Sequence, residues 1–107
     1  MFNLTPSPTF RAQVPLSVPG SAKPLEVVFV FRHKTRSAME KWLTRFVSGP
    51  SAEVLGEVIE GWELKRDGEA VEYSHTALAE LCESYTPAMG EISDAYILEI
   101  TRAKRKN

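Results

Sequence analysis

The sequence predicts one small α+β domain, and three patterns support this fold class. An apolar, β-branched run at 25–32 follows a proline-interrupted segment, which predicts an N-terminal β-hairpin. Apolar residues then recur at helical spacing in about four segments. A turn signal at Asp67 and Gly68, flanked by alternating apolar residues, predicts a short second hairpin. A length of 107 residues fits a single domain spanning 1–107.

Proline placement defines the N-terminal part of the chain. Five prolines within the first 24 residues exclude a helix there and confine any strand to an edge or a turn. Residues 1–9 are therefore expected to form an extended arm. We expect residues 10–18 to form the first strand, to turn at 19–24, and to pair with residues 25–32.

The strand at 25–32 is apolar on both faces. One face is formed by Leu25, Val27, Phe29 and Phe31. Val28 and Val30 lie on the other face, which must be covered by more of this chain or by another subunit. Each apolar side chain left in water forgoes about 1.5 to 3 kcal/mol of burial. We therefore expect Val28 and Val30 to contribute to a protein-binding surface and to weak self-association.

The first two helical segments lie between the two predicted hairpins. A capping-box pattern at 37–40 begins the first helix, and Gly49 ends it. The second is predicted to extend from about Ser51 to Gly61. Its inward side chains are expected to be Val54, Leu55, Val58 and Ile59.

Two further helices are predicted after the second hairpin. Ser74 caps the third, and Pro87 separates it from a fourth that extends to about Arg105. Leu98 falls among charged residues on the outer face of the fourth helix, so it is a second candidate for partner binding. The inner stripes are expected to be Leu78, Leu81, Cys82 and Tyr85 in the third helix, and Met89, Ile92, Tyr96, Ile100 and Ala103 in the fourth.

The chain ends in a basic tail, and residues 103–107 are expected to be mobile. Cations at this position offset the dipole of the preceding helix, and a block this short usually faces water. Its lysines and arginine are also candidates for partner binding: Lys104, Arg105 and Lys106. A net charge of −1 gives no general attraction to phosphate backbones, which disfavours nucleic acid as the main partner.

The sequence contains no recognisable catalytic, cofactor-binding or metal-binding motif. His33 and His75 have no cysteine or carboxylate at ligand spacing, and Cys82 falls on a predicted buried stripe without an oriented base. The glycines form no phosphate-binding loop. We therefore expect no enzyme activity, no cofactor and no metal. The largest aromatic side chains are expected to be structural anchors: Trp42, Trp62 and Tyr85.

The expected location is the cytoplasm. No apolar run approaches the ~20 residues of a membrane-spanning helix, and we expect no membrane partner. A single cysteine also fits a reducing compartment.

Several short segments occur in an order and spacing typical of one protein family. The most specific are Gly61 with Trp62, Asp67 with Gly68, Tyr73 with Ser74, and a leucine-rich helix that ends at Tyr85. Over about residues 10–100 this series resembles the phage tail assembly chaperone family. In the family pattern proline directly follows the tyrosine, whereas here Thr86 separates Tyr85 from Pro87.

The resemblance implies a non-catalytic protein of a phage or prophage. It would bind the tape-measure protein, help to recruit tail-tube subunits in the cytoplasm of the bacterial host, and leave before the virion is mature. The alternative is a small regulatory or nucleic-acid-binding module that uses the basic tail. The acidic net charge argues against this alternative.

Overall fold

The computed structural model describes residues 4–101, which form a four-stranded antiparallel sheet and four helices. The elements are β1 Thr9–Leu16, β2 Leu25–Arg32, α1 Arg36–Ser48, α2 Ala52–Gly56, β3 Ile59–Arg66, β4 Glu69–Val71, α3 His75–Ser84 and α4 Ala88–Thr101. The strands lie in the order β1-β2-β3-β4. The predicted α+β class, with two hairpins and four helices, is confirmed.

The two hairpins are joined along only half of their length. Strand β1 pairs with β2 throughout, from Thr9 opposite Arg32 to Leu16 opposite Leu25. The pairing of β2 with β3 covers residues 28–31 of β2 and is interrupted by a bulge after Val30. At the other end, residues 64–66 of β3 pair with β4. The hairpins therefore diverge where residues 25–27 and 64–66 would otherwise face each other.

The turn of the second hairpin has the geometry that its sequence predicts. Asp67 has a φ of 52° and Gly68 a φ of 82°. Positive φ at both central residues is the requirement of a type I′ turn, whose twist matches that of paired strands. Aspartate and glycine tolerate this region at the lowest cost. The turn prediction is confirmed.

The helices pack on one face of the sheet, and the core lies between them. In β2 the buried side chains are Val27, Phe29 and Phe31, so the strand faces the core as predicted. Side chains of β1, β3 and all four helices complete a single cluster of buried apolar residues. The members below 2% exposure are Val14, Val27, Phe29, Phe31, Trp42, Leu55, Val58, Ile59, Leu78, Ile92 and Tyr96.

Tyr96 of α4 connects three parts of this core. Its ring centroid lies 5.1 Å from that of Phe31 in β2 and 5.4 Å from that of Trp42 in α1. It also stacks on Phe10 of β1 at 6.0 Å. The hydroxyl donates a 2.9 Å hydrogen bond to the backbone carbonyl of Arg32. Burial raises the pKa of Tyr96 to about 12.

Helix α1 begins two residues before the start that the Ser37 capping box predicts. The N-cap is Thr35, whose side-chain oxygen accepts a 3.2 Å hydrogen bond from the amide of Ala38. Since Thr35 already caps the helix, Ser37 lies in the first turn. The end at Gly49 agrees with the prediction, and the Gly49 amide donates to the carbonyl of Arg45.

An ion pair connects α1 to the end of α2. The Arg45 guanidinium donates to both carboxylate oxygens of Glu57 at 2.8 and 2.6 Å. This hydrogen bond lowers the pKa of the Glu57 carboxyl below its ordinary value. The two-point geometry fixes the orientation of α1 relative to the segment that leads into β3.

The prediction that the second helix extends to Gly61 is wrong. Helix α2 has five residues, and Ile59 already belongs to β3, where it pairs with Phe31. The Arg32 amide also donates a 2.7 Å hydrogen bond to the carbonyl of Val58. Both Val58 and Ile59 are buried as predicted, but Ile59 lies in β3 and Val58 lies in the turn that leads into it.

The third helix begins as predicted and packs closely on α2. The Ser74 side chain accepts a 3.0 Å hydrogen bond from the amide of Ala77, which is N-cap geometry. A Cβ at Gly56 would lie 3.3 Å from the ring of His75, so glycine permits the close approach. Leu78 is fully buried, whereas the other predicted inner positions of α3 are half-buried.

The predicted ends of the chain are only partly covered by the described residues. Residues 4–8 precede β1 and are exposed. Helix α4 is described to Thr101, so its predicted continuation to Arg105 and the tail at 103–107 lie outside the described residues.

We expect Tyr96→Phe to reduce the free energy of unfolding by about 1 kcal/mol, because the hydrogen bond to the Arg32 carbonyl is lost. The loss should shrink at high pH. The folded pKa lies above the unfolded value, so the stability contributed by the neutral phenol is complete below about pH 10 and declines towards about pH 12. Denaturant unfolding of both proteins at about pH 8 and about pH 11 measures the change. An equal difference at the two pH values would contradict the burial of this hydroxyl.

Candidate protein-binding surfaces

An ion pair within the chain crosses the outer face of the sheet. Val28 and Val30 lie on this face and are half-buried. Arg11 of β1 stands opposite Val30, and Glu63 of β3 stands opposite Val28. The Arg11 guanidinium contacts the Glu63 carboxylate, so the pair crosses β2 at the level of the two valines. The sequence left open whether this face is covered by more of the chain or by another subunit. Side chains of β1 and β3 supply at least part of the cover.

A second surface is the cleft that opens where the hairpins diverge, which we call the hairpin cleft. It has a volume of about 190 Å³ on the helix side of the sheet. Leu25 of β2 lies at its edge and is 50% exposed, although the alternation in β2 predicts an inward position. Its apolar lining consists of Leu16, Val18, Leu25, Trp62, Leu64, Val71, Ala77, Leu81 and Tyr85. This is an apolar recess open to solvent.

The divergence also leaves a groove on the outer side of the sheet. Val28, Ala70 and Val71 line it, together with parts of β2 and β3 that also border the hairpin cleft. Leu25, Trp62 and Leu64 are shared by the two recesses. The gap between the hairpins is therefore accessible from both faces of the sheet, and it brings Val28 next to the apolar cleft.

The three predicted anchor residues occupy two different environments. Trp42 is buried in α1, and its indole N–H donates a 2.9 Å hydrogen bond to the carbonyl of Val54. Trp62 is 9% exposed, and its indole N–H donates to the carbonyl of Val71 at 2.9 Å. Tyr85 is half-buried and lines the hairpin cleft with Trp62. Trp62 thus ties β3 to the end of β4 and forms one wall of the cleft.

A third surface, the α4 groove, lies between α4 and the loop that joins β1 to β2. Its volume is about 560 Å³. Leu98 lines this groove and is 48% exposed, as the outer position in the helix predicts. Other apolar or small lining residues are Pro15, Val18, Ala22, Pro24 and Ala95. The three basic residues proposed for partner binding, Lys104, Arg105 and Lys106, lie outside the described residues.

The comparison with protein families gives one decisive match. A family model described as phage tail assembly chaperone matches residues 1–107. The chain belongs to the phage tail assembly chaperone family. Comparisons with curated proteins and with solved structures give no significant match.

Family membership agrees with the order of segments on which the sequence resemblance is based. In this chaperone, Gly61 and Trp62 lie in β3, and Asp67 and Gly68 form the hairpin turn. Tyr85 is the C-cap of α3. Thr86, which departs from the family pattern, lies in the short connection before α4. The departure is thus accommodated between two helices.

The described residues of this chaperone offer little reactive chemistry. Burial raises the pKa of the Cys82 thiol, so the thiolate needed for nucleophilic attack is disfavoured at neutral pH. Within residues 4–101, no group of three or more histidine, cysteine, aspartate or glutamate side chains is placed to hold a metal ion. Likewise, no helix in this range is long and apolar enough to cross a membrane.

Sequence reasoning missed the hairpin cleft. Leu25 belongs to a strand whose alternation assigns it to the core, and Leu64 and Val71 are among the alternating apolar residues around Asp67 and Gly68, which predict only a hairpin. The available signal was the excess of apolar side chains in that hairpin, which is too short to bury them by itself. Their exposure depends on the divergence of β2 from β3, which is a property of the pairing between distant segments.

We expect Trp62→Ala to reduce the free energy of unfolding by about 3 kcal/mol, the usual order for emptying a buried aromatic site. Trp62→Phe is the matched control, because it retains a ring beside Phe29 and Tyr73 but removes the donor to Val71. This control should lose about 1 kcal/mol. Thermal and denaturant unfolding measure both. An unchanged melting temperature in Trp62→Ala would show that the indole contributes little to packing.

Proposed function

We propose that this chaperone binds the tape-measure protein and helps to recruit tail-tube subunits during tail assembly. Membership of the tail assembly chaperone family defines the process in which it acts. The observation that supports a binding role most directly is the hairpin cleft, an apolar recess bordered by a half-exposed leucine. On this proposal the protein acts in the host cytoplasm and leaves before the virion is mature.

The hairpin cleft has the chemistry of a peptide-binding site. Its walls come from three parts of the fold, the β1–β2 hairpin, the β3–β4 hairpin and α3, so one apolar side chain of a client can contact all three. Recognition of helices in grooves depends on such anchor side chains. Polar residues also line the cleft, among them Lys65 and the Arg66–Glu80 ion pair at 3.2 Å, so its lining is not wholly apolar.

The size of the cleft suits reversible binding. A chaperone must release its client, and a volume of about 190 Å³ accommodates one or two side chains. The large apolar interfaces of permanent complexes bury far more surface. Val28 lies beside the outer opening of the same gap, so we include it in the client-binding surface. Val30 and Leu98 remain proposed contacts, and Val30 is the proposed site of weak self-association.

We expect Leu25→Lys to reduce co-purification of the co-expressed tape-measure protein at least tenfold, because a charge at the cleft edge would have to be desolvated on binding. Leu25 is half-exposed in the free protein, so the variant should fold. Val47→Lys is the matched control, since Val47 is 69% exposed on α1 and does not line the cleft. Circular dichroism and thermal unfolding verify that both variants are folded.

The native protein and the Val47→Lys control should retain the tape-measure protein equally. If native protein fails to retain it, the proposed function is wrong. If Leu25→Lys retains it as well as the control does, the cleft is not the client site. Parallel measurements on Val28→Lys and Leu98→Lys determine whether those positions belong to the same surface.

A further inference from the structure

The α4 groove has an asymmetric distribution of charge. Its acidic lining residues are Glu91, Asp94 and Glu99, all from α4. The only basic residue among its described lining is Lys23, in the loop on the opposite side. Apart from Gln13, the other lining residues are apolar or small, and Leu98 lies on the same helix as the acids with 48% of its surface exposed. The groove thus combines an apolar floor with one acidic wall.

Hydrogen bonds connect the loop of the groove to α4. The backbone amide of Ser17 donates a 2.9 Å hydrogen bond to Glu91, and the Ser17 hydroxyl contacts the second carboxylate oxygen. Ser21 and Lys23 form further hydrogen bonds within the loop. A recess that is formed before binding costs its partner less ordering free energy.

The acidic wall determines which partner fits. A second copy of the chain that packed α4 against α4 about a twofold axis would place the acids of one α4 against the acids of the other. Like charges at an interface oppose association. A partner with lysine or arginine beside its apolar side chains complements both the wall and the floor. A helix meets this requirement when apolar residues at i and i+4 are flanked by basic ones.

We propose that the α4 groove binds a basic amphipathic helix of a partner protein. The floor around Leu98 takes the apolar side chains, and the wall that includes Asp94 faces the basic ones. This goes beyond the proposed function, because the groove is a second surface on the far side of the β1–β2 loop from the hairpin cleft. Ser17 and Val18 of that loop line both recesses. A chaperone with two such surfaces can hold two segments at once.

The test uses the full chain and a defined probe. The probe is an amphipathic peptide of about 18 residues with leucine on one face and lysine on the other, which is five helical turns. A matched peptide carries glutamate in place of each lysine. Binding is measured by calorimetry, and the site is mapped by amide chemical shifts. We expect the lysine peptide to bind and to shift the signals of residues 13–24 and 91–99. Its affinity should decrease with added salt.

Two variants with matched controls separate the groove from general charge. Asp94→Lys should weaken binding about tenfold, whereas Glu72→Lys, which changes the net charge equally at an exposed site outside the groove, should have little effect. Leu98→Ser should weaken binding about tenfold, and Val47→Ser should not.

The proposal is overturned by any of three results. These are equal binding of the lysine and glutamate peptides, equal losses in Asp94→Lys and Glu72→Lys, or chemical shifts confined to the hairpin cleft. Failure here leaves the proposed function unaffected, because that function is tested by tape-measure co-purification with Leu25→Lys. Conversely, loss of tape-measure binding in Leu25→Lys with intact peptide binding would show that the two surfaces act separately.

Discussion

The rest of the structure depends on the burial of Tyr96 between the sheet and α1. Its hydroxyl binds the carbonyl of Arg32 at the end of β2, while its ring contacts aromatic side chains of β1, β2 and α1. A buried phenol is stabilised by a partner for its hydroxyl, so the hydrogen bond restrains how far α4 can slide along the sheet. The position of α4 then determines where its acidic outer face lies. A core constraint thereby decides the location of the proposed binding surface on α4.

A second constraint is the incomplete pairing of the two hairpins. The bulge after Val30 and the short ladder between β2 and β3 allow the hairpins to separate at one end. Trp62 holds β2, β3 and β4 together at the inner end of this gap. Its indole donates to the carbonyl of Val71 and packs against Phe29 and Tyr73. The same side chain therefore stabilises the second hairpin and forms a wall of the hairpin cleft. Stability and the proposed client binding share one residue here.

Charge is used differently on the three surfaces. On the outer sheet face, Arg11 and Glu63 neutralise each other across β2, which leaves the two valines half-buried. The hairpin cleft has a mixed rim, whereas the α4 groove has an acidic wall. Exposed ion pairs contribute little to stability, so these patterns matter mainly for the choice of partner. A net charge of −1 for the whole chain conceals this distribution.

Local sequence determined the class of the fold, the type I′ turn, the inward face of β2, the cap of α3 and the outward position of Leu98, because each depends on residues near in the chain.

Tertiary structure alone decided the rest. Ile59 suits either a helix or a strand, and pairing with Phe31 selected the strand. Leu25 follows the core alternation yet is half-exposed, because β3 turns away from it. Both recesses lie between segments far apart in sequence, so no local pattern could predict them. Their apolar floors and charged walls arise only when those segments meet.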